Sequence, residues 1–330
     1  MAKYKKVSQE QIIEQFAQPI IDCLESGKIA WNKPFMRMSG VDSAYNYSKN
    51  IKNIEKGDIT YYQGMMNQLS LGCRKEKYDY PHNAWVTFKG AKELGGNVKR
   101  GEEGAYVLYW TIIEFDSEGN KLPQGNKDKS IVAKSIPFLR HFKVFNISQC
   151  EGIPMPKVKK ATKFKPLKVL KEAQAIVDKY NLREKALKID IKHDARACYI
   201  PSQDRIECPD MRNHVETAKQ LGESVTDGKQ HYYSTLFHEM IHSSGSKKRL
   251  NRLEENFSFG DHEYSKEELV AEIGSAMLCQ EAGLNSDNVY KNTLAYCQGW
   301  AKKLKSEPKW ILWATTRSLT ATNYILKGKK

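Results

Sequence analysis

Apolar residues recur at helical spacing over residues 8–26, where Ile12, Ile13, Phe16, Ile20 and Leu24 mark one face. Ser8 is placed to cap that helix and Gly27 to stop it. The stretch from Trp85 to Gly95 predicts a short helix with Thr87 as its cap. Residues 105–113 and 137–145 are rich in aromatic and branched side chains and predict strands. The polar run from Asp116 to Lys129 between them reads as a hairpin loop or short insertion. Further on, residues 167–180 predict a helix, and 197–200 with 205–208 a hairpin across a Pro-Ser-Gln-Asp turn. Leu236, Phe237, Met240 and Ile241 set an apolar stripe on a helix that Gly245 ends, and three helical stretches follow near 265–282, 288–304 and 309–327.

Between the two halves, residues 153–166 hold three prolines and five lysines with no acid, the composition of an extended, solvated linker. The expected architecture is therefore α+β in two domains. Residues 1–152 form an α+β domain, 153–166 the linker, and 167–330 a mostly helical domain with a small sheet. A length of 330 residues suits two domains, each with its own core.

Charge sharpens this division. The chain carries a formal +14, which makes an anionic partner a serious expectation. Residues 1–150 hold 22 basic and 16 acidic groups, 151–190 hold 11 and 5, and 191–330 hold 20 and 18. The last part is nearly neutral, so the basic character belongs to the front and the joint. Seven cysteines are scattered, odd in number and never spaced Cys-x-x-Cys, which argues for reduced thiols in a cytosol-like compartment. The first residues lack an apolar signal core, and no stretch approaches membrane-span length, so the expectation is a cytoplasmic protein with no membrane partner. Asn146-Ile-Ser matches a glycosylation acceptor and is read as chance in that setting.

The chemistry concentrates in His238-Glu239-Met240-Ile241-His242. Residues four apart share a helix face, so His238 and His242 can grip one ion, expected to be a single Zn²⁺. Glu239 then sits where it can take a proton from a bound water. A catalytic zinc needs a third protein ligand and an open position. One protease pattern would place a His at 248, but Lys248 stands there. The alternative is a carboxylate on the next helix, where Glu268 and Glu272 lie one turn apart with Leu269, Ile273, Ala276 and Met277 on the opposing stripe. Glu268 is the preferred ligand, with Glu272 behind it accepting the free ring N–H of a ligand histidine and so fixing its tautomer. Two alternatives stay open: Glu272 as ligand, or Glu268 closing a capping box with Ser265. Tyr264 is a candidate hydrogen-bond donor to a developing oxyanion, or else a buried tyrosine with a satisfied hydroxyl.

Basic and aromatic residues interleave in the front half, the pattern of a groove on which bases of single-stranded DNA stack. Trp31, Lys33, Tyr45, Tyr47, Lys99 and Arg100 are the candidate strand-binding residues. Trp85 and Phe88 flank Lys89 and are weighed between core and platform.

Taken together, these residues resemble the ArdC family of antirestriction proteins over nearly the whole length. The resemblance rests on Ile29-Ala-Trp-Asn-Lys-Pro-Phe, Tyr45-Asn-Tyr-Ser, Asn67-Gln-Leu-Ser-Leu, Trp85-Val-Thr-Phe, Leu94-Gly-Gly-Asn-Val-Lys-Arg-Gly-Glu-Glu-Gly and Val144-Phe-Asn-Ile-Ser-Gln-Cys at the front. At the back it rests on Asp204-Arg-Ile-Glu-Cys-Pro, the His238–His242 helix, Arg249-Leu-Asn-Arg and Glu267-Glu-Leu-Val-Ala-Glu-Ile. Lys49 to Thr60 departs from the family's spacing as an extra segment. The resemblance implies an N-terminal single-stranded-DNA-binding domain and a C-terminal zincin-like metallopeptidase domain, similar to Spartan-type proteases. It further implies a plasmid or phage protein that shields incoming mobile-element DNA from restriction, with DNA-associated host proteins as possible targets. The rival readings are a DNA-coating protein with a purely structural metal site, a primase-associated accessory protein, and a protease that cleaves only itself on DNA.

Overall fold

The computed structural model describes residues 8–28, 48–52, 60–62, 64–123, 128–153, 166–193, 196–253, 262–284 and 293–328. Two compact units divide the chain: residues 1–16 with 48–157, and residues 17–47 with 158–330. The Lys/Pro-rich stretch lies largely outside the described residues, and its last residue, Pro166, already opens a helix. Proline suits that first helical position, where its missing N–H is not needed.

Helix α1 spans Gln9–Glu25. Ser8 and Gln11 close a reciprocal cap at its start, and Gly27 takes a positive φ of 76° just beyond its end. In the first unit a five-stranded sheet forms from β1 (Lys49–Asn50), β2 (Thr60–Tyr61), β3 (Ala84–Thr87), β5 (Ala105–Phe115) and β6 (Lys134–Asn146), ordered β2-β1-β3-β6-β5. The pairs are antiparallel apart from β1 with β3. The extra segment therefore begins and ends as an antiparallel pair of its own. A second small pair joins β4 (Asn97–Val98) and β7 (Cys150–Glu151).

Alternation along β3 builds two cores. Ala84 and Val86 pack with Ile51, Ala91, Leu94 and Ile147 on one side, and Trp85 packs with Leu71, Ala105, Val107 and Val144 on the other. Trp85 is thus a strand residue in the core, not the start of a helix. The helix α3 begins only at Phe88 and runs to Glu93, with Thr87 accepting from the Gly90 amide as expected. Phe88 is half exposed with the Lys92 ammonium 5.2 Å above its ring.

Helix α2 (Met65–Lys77) was not anticipated. It carries two buried amides that act as backbone substitutes. Asn67 accepts from the Leu108 N–H at 2.8 Å and donates to the Leu108 carbonyl at 2.6 Å, so it satisfies the outer edge of β5 there. Gln68 accepts from the Ser48 N–H and donates to the Tyr62 carbonyl. Gly95 takes φ 80°, whereas Gly96 is required for space, since a Cβ there would lie 2.2 Å from the Glu151 carbonyl oxygen. Asn146 is fully buried in a reciprocal cap with Gln149, which leaves no room for glycosylation.

In the second unit, α4 (Pro166–Arg183) is followed by β8 (Lys188–Lys192), β9 (Cys198–Ile200) and β10 (Arg205–Pro209). β9 and β10 form the expected hairpin, with Asp204 left-handed at its turn. The sheet order is β8-β10-β9, with β8 parallel to β10. The Asp204–Cys208 strand, which the sequence suggests as an edge that could hold an extended substrate, is therefore central, with both edges paired. Helices α5 (Met211–Gln220), α6 (Val225–Ser244), α7 (His262–Ala282), α8 (Thr293–Ser306) and α9 (Lys309–Lys327) complete the unit. No helix among the described residues is long and apolar enough to cross a membrane. Cys23, Cys73, Cys150, Cys198, Cys208 and Cys279, the cysteines whose side chains are described, are free thiols.

Candidate metal centre

Helix α6 starts at a reciprocal cap between Ser224 and Asp227. Its apolar stripe, Leu236, Phe237, Met240 and Ile241, is almost wholly buried. Helix α7 crosses close by, because Gly274 has no side chain and a Cβ there would meet Ile241 at 2.7 Å. Leu269, Ile273, Ala276 and Met277 bury the other side of α7. This close crossing sets the acidic first turns of α7 beside the two histidines.

His238, His242 and Glu268 converge, with candidate ligand atoms all within 4.8 Å of one another. The two Nε2 atoms are 3.1 Å apart. Glu268 spans them, with Oε2 3.4 Å from His238 Nε2 and Oε1 3.3 Å from His242 Nε2. A tetrahedral cation with bonds of ~2.0–2.1 Å would separate its ligand atoms by about 3.3 Å. The donor set and its spacing thus fit a divalent ion held by two imidazoles and one carboxylate.

The capping-box alternative for Glu268 fails. α7 begins at His262, so Ser265 lies inside the helix, where its hydroxyl accepts from Lys303 Nζ at 2.9 Å. Tyr264 likewise stands in the first turn of α7, and its side chain lies outside the described residues. Trp31, Lys33, Tyr45 and Tyr47 lie outside them altogether. Lys99 and Arg100 are exposed, and Lys99 Nζ donates to the Ser148 carbonyl at 3.0 Å.

Sequence reasoning missed the residue that orients His242. Glu267, adjacent to the candidate ligand, meets His242 Nδ1 at 3.2 Å. Glu272 approaches His238 Nδ1 only to 3.8 Å, beyond hydrogen-bond length. A proton on His242 Nδ1 donated to Glu267 leaves Nε2 able to bind a cation. Glu267 is buried and held by Arg252, which donates from Nε at 2.7 Å and from Nη2 at 2.8 Å. The same Nη2 donates to the Ile241 carbonyl. Gly245 makes this possible by its small size: its φ is −79°, and a Cβ there would meet Arg252 Nη2 at 2.9 Å. The signal was present as Arg249-Leu-Asn-Arg after a helix-ending glycine, two cations beside a buried helix that need buried anions.

The other cation of that turn is more deeply fixed. Arg249 forks onto Asp204 at 2.8 and 3.1 Å, reaches Glu184 at 3.0 Å and donates to the Ser243 carbonyl at 3.0 Å. It therefore closes the end of α6 against the β9–β10 turn and α4.

Electrostatics follow from burial and pairing. Burial alone would lower both histidines, but the facing carboxylates win. His238 is raised, chiefly by Glu268, and His242 is lifted to about 10 by Glu267 and Glu268. Burial would raise Glu267 and Glu268, yet Arg252 holds the first ionised and the two imidazoles hold the second. An entering cation must displace protons from the imidazoles. Glu239, next to His238 on α6, is buried, and its charge acts on both histidines.

Comparison with known proteins aligns with both units. The N-terminal domain of anti-restriction factor ArdC matches residues 10–145, and a zincin-like metallopeptidase domain matches residues 178–317. The antirestriction ArdC protein of plasmid R388 is similar in its metal-free crystal structure, at 28% identity and TM-score 0.60, covering 96% of this chain and 97% of that one. Its Mn(II)-bound crystal structure is similar at 27% identity and TM-score 0.59, with the same coverage. The uncharacterized protein y4eC of Sinorhizobium fredii is 27% identical over 95% of this chain and 91% of its own length. Two Escherichia coli DNA primases TraC are 28% and 29% identical over 99% and 95% of this chain, which spans only 28% and 20% of their lengths.

Proposed function

This chain belongs to the ArdC family of antirestriction proteins, with a zincin-like second domain, and from that premise we propose that it binds single-stranded DNA through its first unit and hydrolyses peptide bonds at a zinc site in its second. The observation that supports the hydrolase is the convergence of His238, His242 and Glu268 beside Glu239. Zinc, when bound, supplies polarisation of a carbonyl and acidification of a water. His238 and His242 would hold the ion through Nε2, and Glu268 through its carboxylate. Glu239 accepts a proton from the attacking water and returns it to the leaving amine nitrogen. Glu267 fixes the His242 ring through Nδ1, and Arg252 fixes Glu267. Tyr264, one turn before Glu268, is the proposed donor to the developing oxyanion. The DNA-bound unit raises the local concentration of the protease near DNA-associated host proteins, and the proposed setting is the cytoplasm.

The test is a paired substitution. His238→Ala should remove bound metal in elemental analysis, whereas Glu239→Gln should keep the metal and lose peptidase activity by about 10²–10⁴-fold. A Glu239→Gln protein that still protects transferred DNA fully would replace proteolysis with DNA coating around a structural metal. For the first unit, the charge of residues 1–150 and their aromatic content support DNA binding. Unchanged affinity and salt slope in a Lys99→Ala/Arg100→Ala variant would remove those two residues from the interface. The partial match to DNA primases suits a unit that serves nucleic-acid-handling proteins, while among the described residues the group of three or more candidate metal ligands is His238, His242 and Glu268.

A further inference from the structure

β5 and β6 pair over their full common length, from Ala105 with Val144 to Phe115 with Lys134. β3 pairs only with residues 144–146 of β6. Beyond that point the two strands continue as a two-stranded ribbon. Directly paired residues share a face, so Tyr109 and Arg140 lie together, with Phe142 and Phe138 two residues to either side along β6. Phe138 and Phe142 are 42% and 45% exposed, far above the usual range for phenylalanine. Tyr109 and Phe142 stack in parallel, with ring centroids 5.5 Å apart and planes within 4°. Aromatic, cation and aromatic thus alternate at 138, 140 and 142, each about 6.8 Å from the next along the strand.

Charge selects the occupant. On this face β6 carries Lys134 and Arg140 and no acid, and the single acid of β5, Glu114, lies on the opposite face, paired with Lys129. A purely apolar partner would gain nothing from these cations, and an acidic peptide would not use the parallel ring faces. A polyanion with flat, stackable bases uses both. We propose that this ribbon face, built from Tyr109, Phe138, Arg140 and Phe142, is the platform on which bases of single-stranded DNA stack. This rests on the reading of the first unit as a single-strand binder and names its surface.

The experiment measures binding of a labelled oligothymidine by the full-length protein at several salt concentrations. Phe138→Ala/Phe142→Ala should weaken binding about tenfold to a hundredfold with an unchanged salt slope. Arg140→Ala/Lys134→Ala should reduce the slope by about 1.4, as expected for two lost single-strand contacts. Trp110→Ala/Ile112→Ala alters exposed residues on the opposite ribbon face and should leave binding within twofold. A bromodeoxyuridine-containing strand should crosslink to the 134–146 peptide of the unmodified protein, a readout independent of how the variants fold. If the unmodified protein binds and the Phe138→Ala/Phe142→Ala variant binds equally well, the platform is wrong and the single-strand reading stands. Should the unmodified protein not bind, both fall. If that variant instead converts a dimer to a monomer at full DNA affinity, the face joins copies of this chain and the platform is likewise overturned.

Discussion

The α6–α7 region of the second unit and the β5–β6 ribbon of the first depart from the ordinary inside–outside distribution in opposite directions. Around α6 and α7, charged groups are buried: Glu239, Glu267, Arg249 and Asp204 all sit inside the protein. On the ribbon, large apolar side chains face solvent: Trp110 is 56% and Ile112 62% exposed, besides Phe138 and Phe142. Buried charge requires a partner for nearly every donor and acceptor, so the first region is rigid and its geometry is over-determined. Exposed aromatics carry no such requirement and cost little to leave available. The proposed ion site, which would need placement to within tenths of an ångström, and the proposed base platform, which would take any base, call for these two different solutions.

The comparison breaks most severely at Arg249. Arg249→Ala leaves Asp204 and Glu184 without their main cation, and the expected loss is about 3–5 kcal/mol in chemical denaturation of the second unit. A loss below about 1 kcal/mol would mean that the network is ornamental. Next comes the support of the candidate ligands. Glu267→Gln should weaken metal binding about 10–100-fold in a chelator competition, because it loosens His242. Glu272→Gln, at 3.8 Å from His238, should change it much less. Equal effects would return Glu272 to the role that the sequence suggested. The smallest effect belongs to the ribbon: Phe138→Ala/Phe142→Ala should shift unfolding by no more than about 1 kcal/mol, since the side chains are largely solvated already. A larger loss would show that these rings stabilise the fold.

Periodic and capped elements were legible from the sequence. α1 with its Ser8 cap, the β5–β6 hairpin, the β9–β10 hairpin, α6 and the helices after it all appear near their expected places. What escaped were elements whose pattern is masked by buried polar groups. α2 reads as polar because Asn67 and Gln68 spend their amides on neighbouring backbone, a use that only the folded sheet explains. β8, Lys-Ile-Asp-Ile-Lys, alternates in sequence but is only five residues long and is a parallel partner brought in from outside the hairpin. Trp85 looked helical because it precedes a capped helix, yet the strand before that cap claims it.

By itself, the sequence determined the spacing: two histidines on one helix face, a carboxylate beside them, more carboxylates on the next helix, and a basic, aromatic front half. Those follow from helical periodicity and composition, which are local. Only the tertiary structure decided which carboxylate faces the imidazoles and which one steadies them. Glu268 reaches both imidazoles, Glu267 meets His242 Nδ1 and Glu272 stays 3.8 Å from His238 Nδ1, and the close crossing at Gly274 brings α7 near enough to set those distances. It also decided that Arg252 folds back onto Glu267 and that Phe138 and Phe142 stay outside. Contacts between residues distant in the chain depend on how elements pack, and no local pattern encodes that.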